Sequence, residues 1–266
     1  MPFFKTTDAC RLYYETQGFD SDRPVVVFLN GTMQSTVNWK AHVAALRDQF
    51  QVLTYDARGQ GQSDLGKQKL SLEGHAADLG ALLDHLEIKK ANLVGLSHGA
   101  KVALACAAHA PDRVNGLVLC SVTATLTHRA RLFVRSWLET LKEAGLEAMI
   151  WASLPVVFGE EFLKAKERIL NGLVKATARR NSKEALTAFL EAIISYPPLS
   201  QITGSVSIPS LVISASEDPL VREEGARELA KICGGRHKQV PGIGHSIPIE
   251  APELFNKTVL KFLSKT

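Results

Sequence analysis

The sequence has no run of about 20 apolar residues, the length a bilayer span requires. Its long uncharged stretches, residues 91–100 and 102–110, each carry histidine. Charge arrives at Lys5 and Asp8, before the apolar segment of a secretory leader could form, so a cytoplasmic protein is expected. The four cysteines, Cys10, Cys106, Cys120 and Cys233, show no C-x-x-C or paired spacing. That excludes a disulfide framework and a zinc ribbon and leaves buried free thiols as the expectation. The histidines at 42, 75, 85, 109, 128 and 237 lack ligand spacing, and neither a metal nor a cofactor is expected. Excess charge of one sign is also scarce. Lys and Arg number 31 against 27 Asp and Glu over 266 residues, and the pairs Lys89-Lys90 and Arg179-Arg180 stand alone, so no nucleic-acid footprint is present.

What is present is a folded-domain composition, with 45% hydrophobic residues, arranged as alternating strand and helix patterns. Residues 11–16 alternate like a strand, and Val25-Val26-Val27-Phe28-Leu29 is a continuous apolar run of the kind that fills a buried parallel strand. A helix is expected over 37–46, a strand over 51–55, and a helix capped by Ser71 whose Leu79, Leu82, Leu83 and Leu86 share one face. Strands over 92–94 and 114–120 flank a helix over 100–110 that Pro111 ends. Strands over 210–214 and 238–240 and helices over 221–233 and 252–263 complete a βαβ pattern around a parallel sheet. Residues 123–208 break this rhythm with helical spacing throughout. No repeat or flexible linker marks the edges of that stretch, which points to a helical insertion folded onto one core, with 1–122 and 209–266 as the core and 123–208 as the lid.

Gly95-Leu96-Ser97-His98-Gly99 has the G-x-S-x-G spacing of a nucleophile elbow. The spacing alone is weak, but here it directly follows an expected strand and opens an expected helix. A sharp turn in that place holds the serine in strained backbone geometry and needs small residues two before and two after. The helix start beneath it favours the negative charge that develops in acyl transfer. A serine hydroxyl needs a base, and the base needs an orienting acid. Asp218, in a loop after the strand over 210–214, and His245, in the loop after the strand over 238–240, emerge at the same sheet edge as the elbow. Glu217 is an adjacent rival for the acid.

In the order Ser97, Asp218, His245 the chain resembles the α/β-hydrolase superfamily over nearly its whole length. The resemblance rests on Asn30-Gly31 after a long strand, the segment Asp56-Ala57-Arg58-Gly59-Gln60-Gly61-Gln62-Ser63, the elbow, and Gly244-His245. It implies an α/β-hydrolase fold: a mostly parallel central sheet flanked by helices, with an all-helical lid inserted after the sixth strand. It also implies an oxyanion hole from the backbone N–H groups of Thr32 and His98. The chain departs from the common pattern at Asn30, where His is usual, and at Ala100, where Gly is frequent.

The implied activity is a serine hydrolase acting on a small-molecule acyl substrate: a carboxylic ester, thioester or lactone. A carbon-carbon bond hydrolase, an acyltransferase and a perhydrolase would use the same three residues. A ligand receptor on the same fold, with negligible turnover, is the alternative of a different class. Asp56 and Arg58 fit a loop held by its own hydrogen bonds, and the His98 side chain fits packing beside the elbow. The pair Gly59-x-Gly61 lacks the third glycine and the helix of a dinucleotide loop. In the lid, Trp137, Trp151, Phe158 and Phe162 are candidate pocket residues, and the stretch 151–158, interrupted by Pro155, is the candidate pocket wall. Residues 123–208 carry 11 Lys and Arg against 8 Glu and no Asp, an excess that leans toward a substrate bearing a carboxylate or phosphate.

Overall fold

The structure is a computed structural model that describes residues 2–202 and 206–266; residues 203–205, near the C-terminal end of the expected lid, lie outside the described residues. Among the described residues, eight strands form one sheet: β1 (Phe3–Lys5), β2 (Arg11–Gln17), β3 (Val25–Leu29), β4 (Gln51–Tyr55), β5 (Ala91–Leu96), β6 (Val114–Cys120), β7 (Ser210–Ala215) and β8 (Arg236–Val240). Their order across the sheet is β1-β2-β4-β3-β5-β6-β7-β8, with β1–β2 and β2–β4 antiparallel and every later pairing parallel. The helices are α1 (Lys40–Leu46), α2 (Leu72–His85), α3 (His98–His109), α4 (His128–Val157), α5 (Glu160–Lys166), α6 (Leu170–Arg179), α7 (Lys183–Ser195), α8 (Glu223–Ile232), α9 (Ile247–Glu250) and α10 (Pro252–Leu263).

The core follows from the period of two along each strand. Val25, Val27 and Leu29 of β3 face one apolar cluster, with Leu93 of β5, Leu117 and Leu119 of β6, and helices α2, α3 and α8. Val26 and Phe28, with Val94, Val118 and Ile213, face the other, which α1 and α10 cover. Burial on both faces is why these strands read as continuous apolar runs. Phe28 stacks on Trp39 at 4.7 Å between centroids, and the Trp39 indole N–H donates to Asn30 Oδ1 at 2.7 Å. The four cysteines are free and buried. Among the described residues no helix is long and apolar enough to cross a membrane.

Helices α4–α7 lie between β6 and β7. They are the helical insertion, and β1, too short to show in the sequence pattern, is what makes β6 the sixth strand. Val134, Trp137, Leu186 and Phe189 of α4 and α7 belong to the same apolar cluster as the sheet, so the insertion shares the core. The helix over 151–158 is not interrupted where Pro155 suggests. The break in α4 is at Gly145 (φ 86°), and the helix runs through Pro155 to Val157. Pro155 lies within a turn of the helix end and on the same exposed face as Trp151, four residues earlier, so its missing N–H forfeits one bond on the solvent side. A glycine reaches this φ without the Cβ clash other residues meet.

The N-terminal hairpin is pinned by a buried ion cluster. Arg58, after β4, donates to Asp78 of α2 through Nε (2.5 Å) and Nη2 (2.8 Å) and to both Asp8 oxygens at 2.7 Å. Its guanidinium beside Asp8 holds that carboxyl far below the usual carboxylate range. Both side chains of the Arg58–Asp78 pair are nearly inaccessible. Removing one partner of a buried pair leaves the other charge uncompensated, at a cost of about 3–5 kcal/mol. Arg58→Ala leaves the buried Asp78 carboxylate without its two donors and should lower unfolding stability by about that amount in urea titration; a loss under about 1 kcal/mol would show that the cluster contributes as weakly as a surface pair.

Candidate active site

Thr32, Ser97, Asp218 and His245 sit beyond the carboxyl ends of parallel strands, where open α/β sheets bind ligands. Ser97 follows β5 and precedes α3, with φ 53° and ψ −108°. Its N–H donates to Cys120 O at 2.8 Å. The flanking glycines are required by space. A Cβ on Gly95 would lie 2.5 Å from the backbone of Gly99 and Ala100, and one on Gly99 would collide with the Leu29 carbonyl at the end of β3. Ala100 carries its methyl group in the core, fully buried.

His245 Nδ1 lies 2.7 Å from Asp218 Oδ2. Asp218 Oδ1 accepts from the N–H groups of Leu220 (2.8 Å) and Val221 (3.1 Å), which fixes the carboxylate plane. The Asp218 side chain is fully buried and the His245 side chain nearly so. Glu217, the adjacent rival, points elsewhere: its Oε2 accepts from Glu160 N at 2.9 Å, at the start of α5. With Nδ1 donating to Asp218, Nε2 is the free acceptor of the ring.

Ser97 and His245 line one cavity of about 160 Å³, together with Thr32 and His98. Thr32 lies in a loop after β3 that its own hydrogen bonds hold. Gly31 N–H donates to Gln34 Oε1 at 2.9 Å, and Gln60 Nε2 donates to Gly31 O at 2.8 Å. Asn30 turns its amide to Tyr55 O and Asp56 Oδ1, away from the cavity. Asp56 also accepts from Thr36 N (2.7 Å) and Gln62 N (2.9 Å), so it ties this loop to the one after β4. The His98 N–H heads α3, where a helix has no acceptor of its own for its first amides. The His98 ring is buried, 3.1 Å from the Tyr196 hydroxyl and edge-on to His75 and Phe189. Burial, then the neighbouring His75 and Lys101, push it well below the ordinary histidine range, so the ring stays neutral.

Five non-glycine residues among those described have positive φ, and three of them, Met33, Ser97 and Ser121, line this cavity. Strain of about 1–3 kcal/mol per such residue persists only where the surroundings enforce it, and it gathers at functional sites. Ser121 was not visible in the sequence. It follows β6, donates through N–H to Ile213 O (2.8 Å) and through Oγ to His245 O (2.6 Å), and so fastens the histidine loop beside the elbow.

Of the four aromatic pocket candidates, Trp137 and Phe158 line the cavity. Trp151 does not: it is 43% exposed on the outer side of α4. Phe162 stacks on Phe158 at 4.6 Å and supports that ring without lining the space. Aliphatic side chains form much of the rest of the wall, among them Met149, Leu154, Val157 and Leu190 of the insertion and Leu220 and Val221 of the core. The helical spacing of the aromatics was legible, but which of them turn inward is set by tertiary packing. Among the described residues no group of three or more His, Cys, Asp or Glu is arranged to hold a metal ion.

Two carboxylates join the insertion to the core beside the site, Glu250 at the histidine loop and Glu217 in the Asp218 loop. Glu250 Oε2 accepts from Gly159 N at 2.9 Å and from Gly244 N at 3.1 Å, while Glu217 caps Glu160. Glu250→Ala strands both amides and should lower unfolding stability by about 1–3 kcal/mol. A thermal melt unchanged from the parent would rule out that coupling.

A family model for the alpha/beta hydrolase fold matches residues 24–252. The enol-lactonase of Burkholderia xenovorans LB400 superposes with a TM-score of 0.90 at 29% identity, covering 99% of this chain and all of that one. The 3-oxoadipate enol-lactonase 2 of Acinetobacter baylyi is 27% identical over 264 residues, 97% of each chain. A thermophilic esterase from Thermogutta terrifontis superposes with a TM-score of 0.86 at 25% identity, over 100% of this chain and 97% of that one. The strained serine turn, the buried Asp–His pair and the sheet order therefore have a common explanation: the chain belongs to the α/β hydrolase fold family and is a hydrolase.

Proposed function

We propose that this hydrolase cleaves a carboxylic ester or lactone through an acyl-enzyme on Ser97. The observation that carries the reading is the shared cavity: a serine in forced backbone geometry faces it together with a histidine whose Nδ1 is held by a buried carboxylate. The enol-lactonase and esterase relatives support the bond type.

In this mechanism Ser97 Oγ attacks the carbonyl carbon while His245 Nε2 takes its proton. The resulting imidazolium is stabilised by Asp218. The carbonyl oxygen becomes an anion held by the N–H groups of Thr32 and His98, and each such donor contributes about 2.7–4 kcal/mol to lowering the barrier. Collapse breaks the C–O bond, and the leaving oxygen takes the proton from His245. Water then repeats the sequence on the acyl-enzyme, with His245 as base, and releases the carboxylic acid and Ser97. For a lactone the leaving oxygen remains tethered to the acyl chain, so one product is released.

Helices α4–α7 act in this reading as a lid, with 123–208 covering a core of 1–122 and 209–266. Its support is that Trp137, Met149, Leu154 and Leu190 form the outer wall of the cavity. Water exclusion by that wall strengthens the oxyanion contacts.

Ser97→Ala should abolish turnover of a short p-nitrophenyl ester without altering the far-ultraviolet spectrum, and hydrolysis at the parent rate would sink the nucleophile assignment. Asp218→Asn removes the charge and the tautomer control and should lower kcat by about 10⁴-fold; a change under tenfold would assign the acid elsewhere. Steady multiple turnovers distinguish an enzyme from a receptor, which would show one burst and a stable adduct.

A further inference from the structure

Lys101 lies in the first turn of α3, four residues after Ser97, and its N–H donates to Ser97 O at 3.2 Å. It lines the main cavity, and it also lines a second cavity of about 30 Å³ between the segment after β6 and the end of α7. Lys101, Thr123, Leu126 and Ile193 belong to both linings, so the small cavity continues the large one past the lysine. The small cavity adds Arg131 and Tyr196.

The lysine has no counter-charge. Among the described residues no Asp or Glu lines either cavity, and Lys101 enters no ion pair. Its partner is the Tyr196 ring, 5.9 Å from Nζ to the centroid. Burial, then the like charge of Arg131, push its amine down to about 8. Arg131 is itself held in place, donating to Ile194 O at 2.8 Å. An unpaired ammonium beside an aliphatic wall is unfavourable until an anion arrives, which makes the arrangement selective for one. A space of about 30 Å³ admits a carboxylate group and little more.

We propose that Lys101, with Arg131 behind it, forms an anion subsite that takes a carboxylate carried by the substrate, so the preferred substrates are monoanionic esters or lactones whose free carboxylate lies several bonds from the carbonyl attacked by Ser97. This rests on the hydrolase reading for the identity of the reacting carbonyl. The basic excess over residues 123–208 fits it, since Arg131 belongs to that segment.

The test is binding, so that it does not depend on turnover. Calorimetric titration of the Ser97→Ala protein at pH 7 would use ethyl hydrogen esters of four- to eight-carbon dicarboxylic acids, each against its diethyl ester. At one chain length the half-ester should bind about tenfold or more tightly than the diester, the scale of a charge-assisted hydrogen bond. Lys101→Met in the same background should reduce that preference below twofold, and Arg131→Gln should reduce it by a smaller factor. Lys101→Gln serves the same purpose should the methionine variant fail to melt cooperatively. No half-ester binding at any length, no preference with Lys101 present, or a preference that survives its loss would each overturn the proposal. Failure of the wild type to hydrolyse any ester would instead overturn the hydrolytic reading and leave this binding result standing.

Discussion

The turn at residues 95–99 is the constraint on which the rest of the site depends. Gly99 packs against the Leu29 carbonyl and Gly95 against the start of α3, so β3, β5 and α3 can come this close only without side chains at those two positions. That contact forces Ser97 to positive φ and lifts it above the sheet edge. It also places the start of α3 and the loop after β3 around the same point, so Ser97, Thr32 and His98 line one cavity. The strain is sustained by the two apolar clusters on either face of the sheet, which hold β3 and β5 in register.

The other half of the site is brought in by the far strands. Asp218 follows β7 and His245 follows β8, and neither loop is near the elbow in sequence. Ser121 closes the gap: its neighbour Cys120 accepts from Ser97 N–H, and its own hydroxyl donates to the His245 carbonyl. The insertion is attached to the same loop through Ser246 N–H, which donates to Val157 O at 3.0 Å, and through Glu250. The insertion is thus hydrogen-bonded directly to the segment that carries the histidine. The cavity that α4–α7 enclose is largely apolar, with Ser97, His98, His245, a few further hydroxyls and amides, and Lys101 as its polar side chains, and Lys101 is the charged one.

Much of this was legible in sequence because it rests on short-range rules. The run Val25–Leu29, the Ser71 cap, whose hydroxyl accepts from Gly74 N–H at 3.0 Å, and the helix 252–263 are written in local pattern, and the structure has them where the pattern puts them. The elbow and the Asp–His pair were legible because that geometry demands particular residue types in order. What escaped was set by tertiary packing. β1 has three residues and exists because Arg58 and Asp8 pin the hairpin. The break in α4 fell at Gly145 because an isolated glycine can continue or end a helix, and only the surroundings decide. Trp137 and Phe158 line the cavity while Trp151 and Phe162 do not, a difference that local spacing does not encode. Lys101 could have been found from its i+4 spacing to Ser97, but that its neighbours lack a carboxylate is a fact of the folded chain alone.

If Ser97 is a nucleophile activated by His245, a fluorophosphonate will modify it, and peptide mass mapping reads the site. One phosphonyl group is expected, on the peptide containing Ser97, formed at a rate that His245→Gln lowers by several orders of magnitude. Labelling at another residue, or labelling of Ser97 at the same rate without His245, would contradict that role.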